Sequence, residues 1–194
     1  MCRTKEDTTR AAGVPGFERS YAEGNDLHSQ FYTDFMNIVG SSQKGDWVMS
    51  KVLVVYCSMS GNTKAAAEAI AEGARTAGAR VTLKKGADAQ PKDLLECDAV
   101  ALGSYDAFSY MGGGLKDFLD RAFYPTQGQV TDKPYVAFLT HGGGGKAIES
   151  IESIAQSFKF KKAVKPVLVK GKPEGQAIVD LKALGAKLAA AAGK

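Results

Sequence analysis

Short hydroxyl side chains crowd one loop of this 194-residue chain, in the run Ser58, Met59, Ser60, Gly61, Asn62 and Thr63. Each hydroxyl can donate a hydrogen bond to an anion, and Gly61 lets the backbone turn sharply and approach a ligand closely. A helical pattern begins near Asn62, so free backbone N–H groups and the positive end of the helix dipole face the same point. The spacing predicts a site for a phosphate dianion, held by neutral donors. The alternative is a simple helix cap, for which one Ser or Thr is enough.

The sequence does not match two other phosphate-binding motifs. The run 142–146 resembles the end of an ATP-binding P-loop, but that motif begins with Gly and has Ser or Thr after its Lys. Thr140 and Ala147 stand at those positions. No G-x-G-x-x-G run follows a predicted strand, so the chain lacks the glycine motif of proteins that bind the dinucleotides NAD or FAD. A mononucleotide is the ligand class that these exclusions leave.

Two later loops combine aromatic, polar and glycine residues, and both follow a predicted strand. The first holds Ser104, Tyr105, Asp106, Ala107, Phe108 and Tyr110, and the second holds Thr140, His141, Gly142 and Gly143. Aromatic side chains of the first loop either offer flat apolar faces to a ring or are ordinary core and loop residues. His141 either donates a hydrogen bond or moves a proton near neutral pH, or it simply closes its strand. Asp106 either accepts a hydrogen bond or is solvated, and the sequence assigns no catalytic residue.

Apolar strand-like runs alternate with helical patterns from Lys51 onward, which is typical of a parallel sheet covered by helices on both faces. Strands are predicted at 52–56, 80–84, 98–102, 134–140 and 164–169. A short crossover is predicted at 90–96, and helices at 63–77, from 115 to a stop before Pro125, and at 146–158 and 173–191. This alternation predicts a doubly wound α/β sheet, whose ligands bind at the carboxyl ends of the strands. The three unusual loops all lie at such ends.

Composition limits the remaining classes of function. With 44% hydrophobic and 24% charged residues, the chain can form one globular α/β domain. Cys2, Cys57 and Cys97 show no C-x-x-C spacing and only two His are present, so we predict no bound metal, no disulfide framework and a reducing cytoplasm. No apolar run approaches the roughly 20 residues that span a bilayer, so no membrane is predicted. The composition of residues 1–49 predicts a poorly ordered leader, which is followed by a domain at 50–194.

Charge is divided unevenly along the chain. The formal net charge is +4, and the first 50 residues hold five Lys or Arg against seven Asp or Glu, which leaves +6 for the rest. A basic domain can favour acidic partners or nucleic acid, but these lysines are spread along the chain and are not clustered with aromatic residues. We therefore predict a solvated lysine-rich surface and no nucleic-acid partner.

The segment from Val52 to Thr63 resembles the first strand and phosphate loop of the flavodoxin-like family, whose pattern there is Ser or Thr, x, Ser or Thr, Gly, x, Thr. Gly103-Ser104, the aromatic residues after it and the helix near 115–121 are similar to the family's second flavin loop and following helix, so the resemblance covers about 51–190. It implies FMN as cofactor, bound by the residues named above in the three loops. It also implies a five-stranded sheet in the order 2-1-3-4-5 between two helix layers. Tyr105-Asp106 departs from the family pattern, which commonly has Pro-Thr there.

Two functions of different classes follow from the resemblance. An electron-transfer protein passes electrons between redox partner proteins through non-covalent FMN and needs no substrate pocket. An NAD(P)H-dependent quinone or flavin reductase uses the same FMN as an enzyme, with a pocket usually built across a dimer or tetramer. A weaker alternative is a module without FMN that only binds partners. The basic charge favours the reductase and the compact chain favours the carrier, so we predict FMN redox transfer and leave the enzyme assignment and a homodimer open.

Overall fold

The computed structural model describes residues 49–193, so the predicted leader, except for Met49, lies outside the described residues. Within this range the strands are β1 (Lys51–Tyr56), β2 (Arg80–Lys85), β3 (Ala99–Ala107), β4 (Tyr110–Met111), β5 (Pro134–His141), β6 (Lys161–Lys162) and β7 (Val167–Lys170). The helices are α1 (Asn62–Thr76), α2 (Pro91–Glu96), α3 (Gly113–Thr126), α4 (Ala147–Ser157) and α5 (Gln176–Ala192). Strands and helices therefore alternate as the sequence predicts.

β1 is a central strand of the sheet, and the long strands of the sheet are parallel. β1 pairs with β2 on one side and with β3 on the other, so that Val54 lies opposite both Leu83 and Ala101. β3 in turn pairs with β5, and the outer side of β5 carries β6 and β7. The order β2-β1-β3-β5 with β6 and β7 at the edge confirms the predicted doubly wound sheet.

The fifth strand, predicted at 164–169, begins later in the structure, as β7 at Val167, and a separate two-residue strand, β6, precedes the predicted range. β6 pairs with the start of β5, at Pro134 and Tyr135, and β7 pairs with its end, from Phe138 to His141. Pro166 lies between the two short strands; it has no N–H to donate and favours an edge or an interruption. The predicted start of the fifth strand, at 164, is therefore wrong, whereas its place beside β5 at the edge of the sheet is confirmed.

Two other boundaries differ from their predictions. β3 runs on past Gly103 to Ala107 and turns back into β4, an antiparallel strand that the sequence did not indicate. The helix expected to stop before Pro125 continues to Thr126. Its last turn is stabilised by the Thr126 hydroxyl, which donates to the Ala122 carbonyl at 2.9 Å.

Apolar side chains fill both faces of the sheet, which gives three layers. On one face α1 and α5 pack over Val52, Val54 and Phe138. On the other face α3 and α4 pack over Leu53, Val55 and the other strand residues whose side chains lie on that face. Because both faces are covered, the central strands are apolar without alternation. No helix in residues 49–193 is long and apolar enough to cross a membrane.

Two glycines bring α1 and α5 into backbone contact. A Cβ added at Gly73 would lie 1.9 Å from the carbonyl oxygen of Lys182, and one added at Gly185 would lie 2.0 Å from that of Ile70. No side chain fits at either position without moving a helix. The close approach fixes the position of α1, whose first turn borders the loop described below.

We expect Gly185→Ala to lower the free energy of unfolding. The added methyl would force the helices apart, at a cost of about 1 to 3 kcal/mol. The intrinsic helix preference of Ala acts in the opposite direction by about 1 kcal/mol, so a net loss identifies the helix contact. Urea denaturation measures the change. Gly193→Ala, where a Cβ would meet nothing within 4 Å, is the control, and equal midpoints for both variants would contradict the packing argument.

Candidate functional site

The loop between β1 and α1 contains the hydroxyl-rich run of the sequence. Gly61 has a φ of +91°, a left-handed conformation that glycine adopts at little cost. Its N–H donates to Ser58 Oγ at 3.1 Å. No side chain within the described residues forms a capping hydrogen bond at the start of α1. The helix-cap alternative therefore does not describe this loop.

The first turn of α1 keeps its backbone donors available. The first N–H of the helix to reach a carbonyl is that of Ala65, which donates to Gly61 at 2.9 Å. The N–H groups of Asn62, Thr63 and Lys64 find no acceptor within residues 49–193. The first turn also holds no acidic residue. Open N–H groups beside neutral hydroxyls, with no carboxylate in the turn, are the donor set that suits a phosphate.

A buried hydrogen bond joins this loop to the end of β5. Thr63 Oγ1 and Thr140 Oγ1 lie 2.7 Å apart, and both residues are almost fully buried. Each hydroxyl carries one hydrogen, and their mutual bond uses only one of them. The pair therefore keeps one hydrogen for a further acceptor while it fixes α1 against the sheet.

The three unusual loops meet at an open groove of about 260 Å³. Its lining residues are Ser60, Asn62, Tyr105, Asp106, Thr140, His141, Gly142 and Gly171. Each of the three predicted loops contributes to this lining, as the topological argument expects. Gly171 is the residue that the sequence reasoning missed. It directly follows β7, so the rule that ligands bind at the carboxyl ends of strands could have found it.

The second loop is a tight hairpin between β3 and β4. Phe108 and Ser109 form its tip with φ angles of 56° and 66°, values that are uncommon for residues other than glycine. Asp106 Oδ1 accepts the Ser109 N–H at 2.7 Å and stabilises the turn. Phe108 is fully exposed at the tip, and Tyr110 is 45% exposed. The hairpin thus presents aromatic faces to solvent next to the groove.

Not every predicted residue of this loop faces the groove. Ser104 is completely buried, and its hydroxyl donates to the Tyr105 carbonyl at 2.8 Å and accepts the Gly112 N–H at 2.7 Å. Ala107 is half-buried within the hairpin, and Met59 of the first loop is 82% exposed. Ser104 therefore shapes the loop from within, and ligand contacts by these three residues stay predictions.

His141 lies at the end of β5 with one ring nitrogen engaged. Its Nδ1 is 2.7 Å from the Gly143 carbonyl oxygen. A carbonyl only accepts, so Nδ1 carries the hydrogen, and Nε2 of the neutral ring is left as an acceptor. The bond also fixes the backbone at Gly143, while Gly142 and Gly143 are exposed. The arrangement can hold a proton beside the groove.

The thiol of Cys97 lies elsewhere and takes no part in this chemistry. It borders a separate cavity of about 210 Å³ that Lys51 and Arg80 also line. Burial raises the pKa of the Cys97 thiol to about 11, although the nearby Lys133 ammonium acts in the opposite direction. The thiol therefore stays protonated near neutral pH, and a protonated thiol is a poor nucleophile.

The comparisons with known proteins agree on one family. A family model described as Flavodoxin matches residues 54–183. A flavodoxin of Aquifex aeolicus (strain VF5) is 37% identical over 117 residues, which cover 58% of this chain and 63% of that protein. An NAD(P)H dehydrogenase (quinone) of Rhodopseudomonas palustris (strain TIE-1) is 35% identical over 128 residues, covering 53% and 64%. The chain thus spans just under two thirds of the length of these curated relatives.

A solved structure supports the same grouping. A flavodoxin from the domain Archaea superposes with a TM-score of 0.69 at 28% sequence identity. The match covers 74% of this chain and 99% of that one. Nearly the whole archaeal flavodoxin therefore corresponds to part of this chain.

We expect Gly61→Ala to weaken binding of FMN, the cofactor that the sequence resemblance implies, by about tenfold or more, close to 1.4 kcal/mol. Alanine is strained at the φ of +91°, so the open N–H groups of the first turn should move. Fluorescence titration of the apoprotein with FMN measures the affinity. Gly78→Ala is the matched control, because Gly78 lies just beyond the other end of α1 with a φ of +87° and equally open space. Equal losses of affinity in both variants would contradict the phosphate site.

Proposed function

The chain belongs to the flavodoxin family and has FMN as its cofactor, and we propose that it passes electrons between redox partner proteins through FMN bound in the groove. FMN, when bound, supplies reversible uptake of one or two electrons. The residues of the chain bind it, orient it and determine what reaches it. The observation that carries the proposal is the open set of backbone donors at the start of α1, next to a groove lined by all three loops.

The phosphate would be held by the loop between β1 and α1. The N–H groups of Asn62, Thr63 and Lys64 and the hydroxyl of Ser60 are the donors, and Gly61 leaves open space beside them. Neutral donors and a helix dipole neutralise a dianion without a paired cation. Lys64 is exposed, and its ammonium lies 3.7 Å from the Glu68 carboxylate, one turn along the helix, so it is not needed for the phosphate.

The flavin ring would be held by the other two loops. Tyr105 lines the groove, and a Cβ added at Gly112 would lie 2.5 Å from its ring, so the tyrosine is packed against the backbone and has a fixed face. Phe108 and Tyr110 of the hairpin offer further flat apolar surface. Thr140, His141 and the glycines at 142 and 143 would contact the polar edge of the ring.

The shape of the groove favours a carrier over an enzyme with its own substrate pocket. At about 260 Å³, the groove is smaller than the roughly 300–1,000 Å³ typical of pockets that enclose a small molecule. It also opens to solvent. Such a site leaves an edge of a bound ring accessible to a partner protein and offers little room for a second stacked substrate.

A second candidate is an NAD(P)H-dependent quinone or flavin reductase. The likeness to an NAD(P)H dehydrogenase (quinone) supports it, and so does His141, whose Nε2 can accept or deliver a proton beside the groove. In this case a second subunit would complete the pocket, and the working form would be a homodimer or tetramer. NAD(P)H and a quinone would then replace the partner proteins.

The location proposed for either function is the cytoplasm. Cys57 and Cys97 are free thiols, as is usual for proteins of a reducing compartment. Electron carriers and NAD(P)H-dependent reductases both have their reactants there. Proteins or small molecules that carry electrons are thus the proposed partners, and neither a membrane nor a nucleic acid is among them.

Anaerobic redox measurements on the FMN-loaded full chain separate the two functions. A carrier should take up electrons in two resolved one-electron steps and should not oxidise NADPH or NADH without another protein. An electrochemical titration followed by absorbance measures the steps, and a stopped-flow assay with a soluble quinone measures NAD(P)H oxidation. Rapid NAD(P)H oxidation by the protein alone, together with a single two-electron step, would overturn the carrier in favour of the reductase.

The histidine gives a further check on the second candidate. We expect His141→Gln to weaken FMN binding only modestly, because glutamine can still donate to the Gly143 carbonyl, and to leave electron uptake by the bound FMN nearly unchanged if the protein is a carrier. A reductase that uses the imidazole as a proton source should lose about 10²-fold or more in quinone reduction. Complete loss of FMN from the variant would instead make cofactor binding the main role of His141.

A further inference from the structure

One segment at the edge of the sheet is strongly basic. Residues 159–172 contain no Asp or Glu and six lysines, Lys159, Lys161, Lys162, Lys165, Lys170 and Lys172. All six are exposed. This segment, which we call the lysine edge, carries much of the excess positive charge of the domain.

The lysine edge follows the outermost strands of the sheet. β6 and β7 each pair with β5, and within residues 49–193 nothing pairs with their outer side. Lys162 is paired with Glu152 at 2.5 Å and Lys172 with Glu174 at 3.2 Å. The other four lysines form no ion pair with any described residue. Unpaired backbone groups and free ammonium groups therefore face outward together.

An apolar groove lies directly beside these charges. It has a volume of about 570 Å³, between α5 and the break in the edge strand. Val164, Pro166 and Leu184 contribute its apolar surface, and Lys165 and Lys187 lie at it with Asp180. An apolar centre with a charged rim is the usual composition of a protein-binding surface.

The lysine edge continues to the FMN groove. Gly171, between Lys170 and Lys172, lines that groove. Leu168 of β7 is 42% exposed and lies 3.1 Å from a Cβ built at Gly145, in the loop that follows β5. A protein seated on the lysine edge would thus border the cofactor site. Short distance is what transfer of an electron between two proteins requires.

We propose that the lysine edge docks an acidic one-electron carrier protein, which exchanges electrons with the FMN in the adjacent groove. The inference rests on the proposed carrier function and adds the charge of the partner and the surface it uses. Attraction between a lysine-rich surface and an acidic partner speeds the encounter and orients it. Two reduced one-electron partners supply the two electrons that reduce one FMN fully, and the protons come from water.

Two reversed-charge variants of the FMN-loaded full chain test the surface. The first is the triple variant Lys161→Glu, Lys165→Glu and Lys170→Glu. The matched control is Arg75→Glu, Arg80→Glu and Lys92→Glu, which changes the net charge equally but lies in α1, β2 and α2, away from the lysine edge. The probes are an acidic [2Fe–2S] ferredoxin, added reduced, and the basic protein cytochrome c, added oxidised to the reduced FMN protein. Stopped-flow absorbance follows both reactions at several salt concentrations.

We expect the lysine-edge variant to react with the ferredoxin at least about tenfold more slowly than the wild type at low salt, and the control to lose much less. The wild-type rate with ferredoxin should fall as salt rises, and the variant should lose this dependence. With cytochrome c the order should reverse, because the variant presents acidic residues to a basic protein.

Other results would overturn the proposal in distinguishable ways. Equal ferredoxin rates in both variants, with normal electron transfer, would remove the docking surface but keep the carrier function. No transfer to or from either probe by a protein that holds FMN would contradict both. If the wild type is a dimer and only the lysine-edge variant is a monomer, the lysine edge is instead an interface between two copies of this chain. Aggregation of that variant at unchanged rates would show that the lysines only protect a free strand edge.

Discussion

The placement of α1 over the sheet is the constraint on which the site depends. Behind the helix, Gly73 and Gly185 let α1 and α5 approach until backbone meets backbone. In front, the hydrogen bond between Thr63 and Thr140, at 2.7 Å, ties the first turn of α1 to the end of β5. Both contacts are buried, so water does not compete for them. The free N–H groups of α1 therefore lie beside the groove because buried contacts hold the helix both at its first turn and along its far side.

Local patterns were enough to predict the parts of the fold that packing only reinforces. Continuous apolar runs at β1, β3 and β5 predict strands buried on both faces, and parallel strands bring the loops after them to one edge. A candidate groove could be expected at that edge for the same reason, since Ser58 to Thr63, the aromatic loop and Thr140 to Gly143 lie at or just beyond the carboxyl ends of such strands. The sharp turn at Gly61 could be predicted from the sequence, because few residues other than glycine easily adopt a left-handed conformation.

The features that escaped prediction are set by contacts of individual residues, some of them only a few positions apart. The β3–β4 hairpin has Phe108 and Ser109 at its tip rather than the Asn-Gly that marks tight hairpins, and Asp106 supports it from three residues away. Ser104 turns inward because the Gly112 N–H, eight residues later, needs an acceptor. Pro166 lies between β6 and β7, but only their pairing with β5 shows where each short strand lies. Sequence periodicity carries none of this information.

The division of charge across the domain follows from how the phosphate site is built. A site that used lysine or arginine for the phosphate would place cations inside the groove, where their charge would be neutralised by the cofactor. In the proposed site, backbone N–H groups and hydroxyls would serve instead, and a helix dipole would provide the positive potential. The lysines are thus free to lie on the outer strands, four of them without an ion pair among the described residues. Because β7 ends beside Gly171, in the wall of the groove, the proposed neutral binding of the cofactor and the proposed charged recognition of a partner can share one edge of the sheet without competing for the same groups.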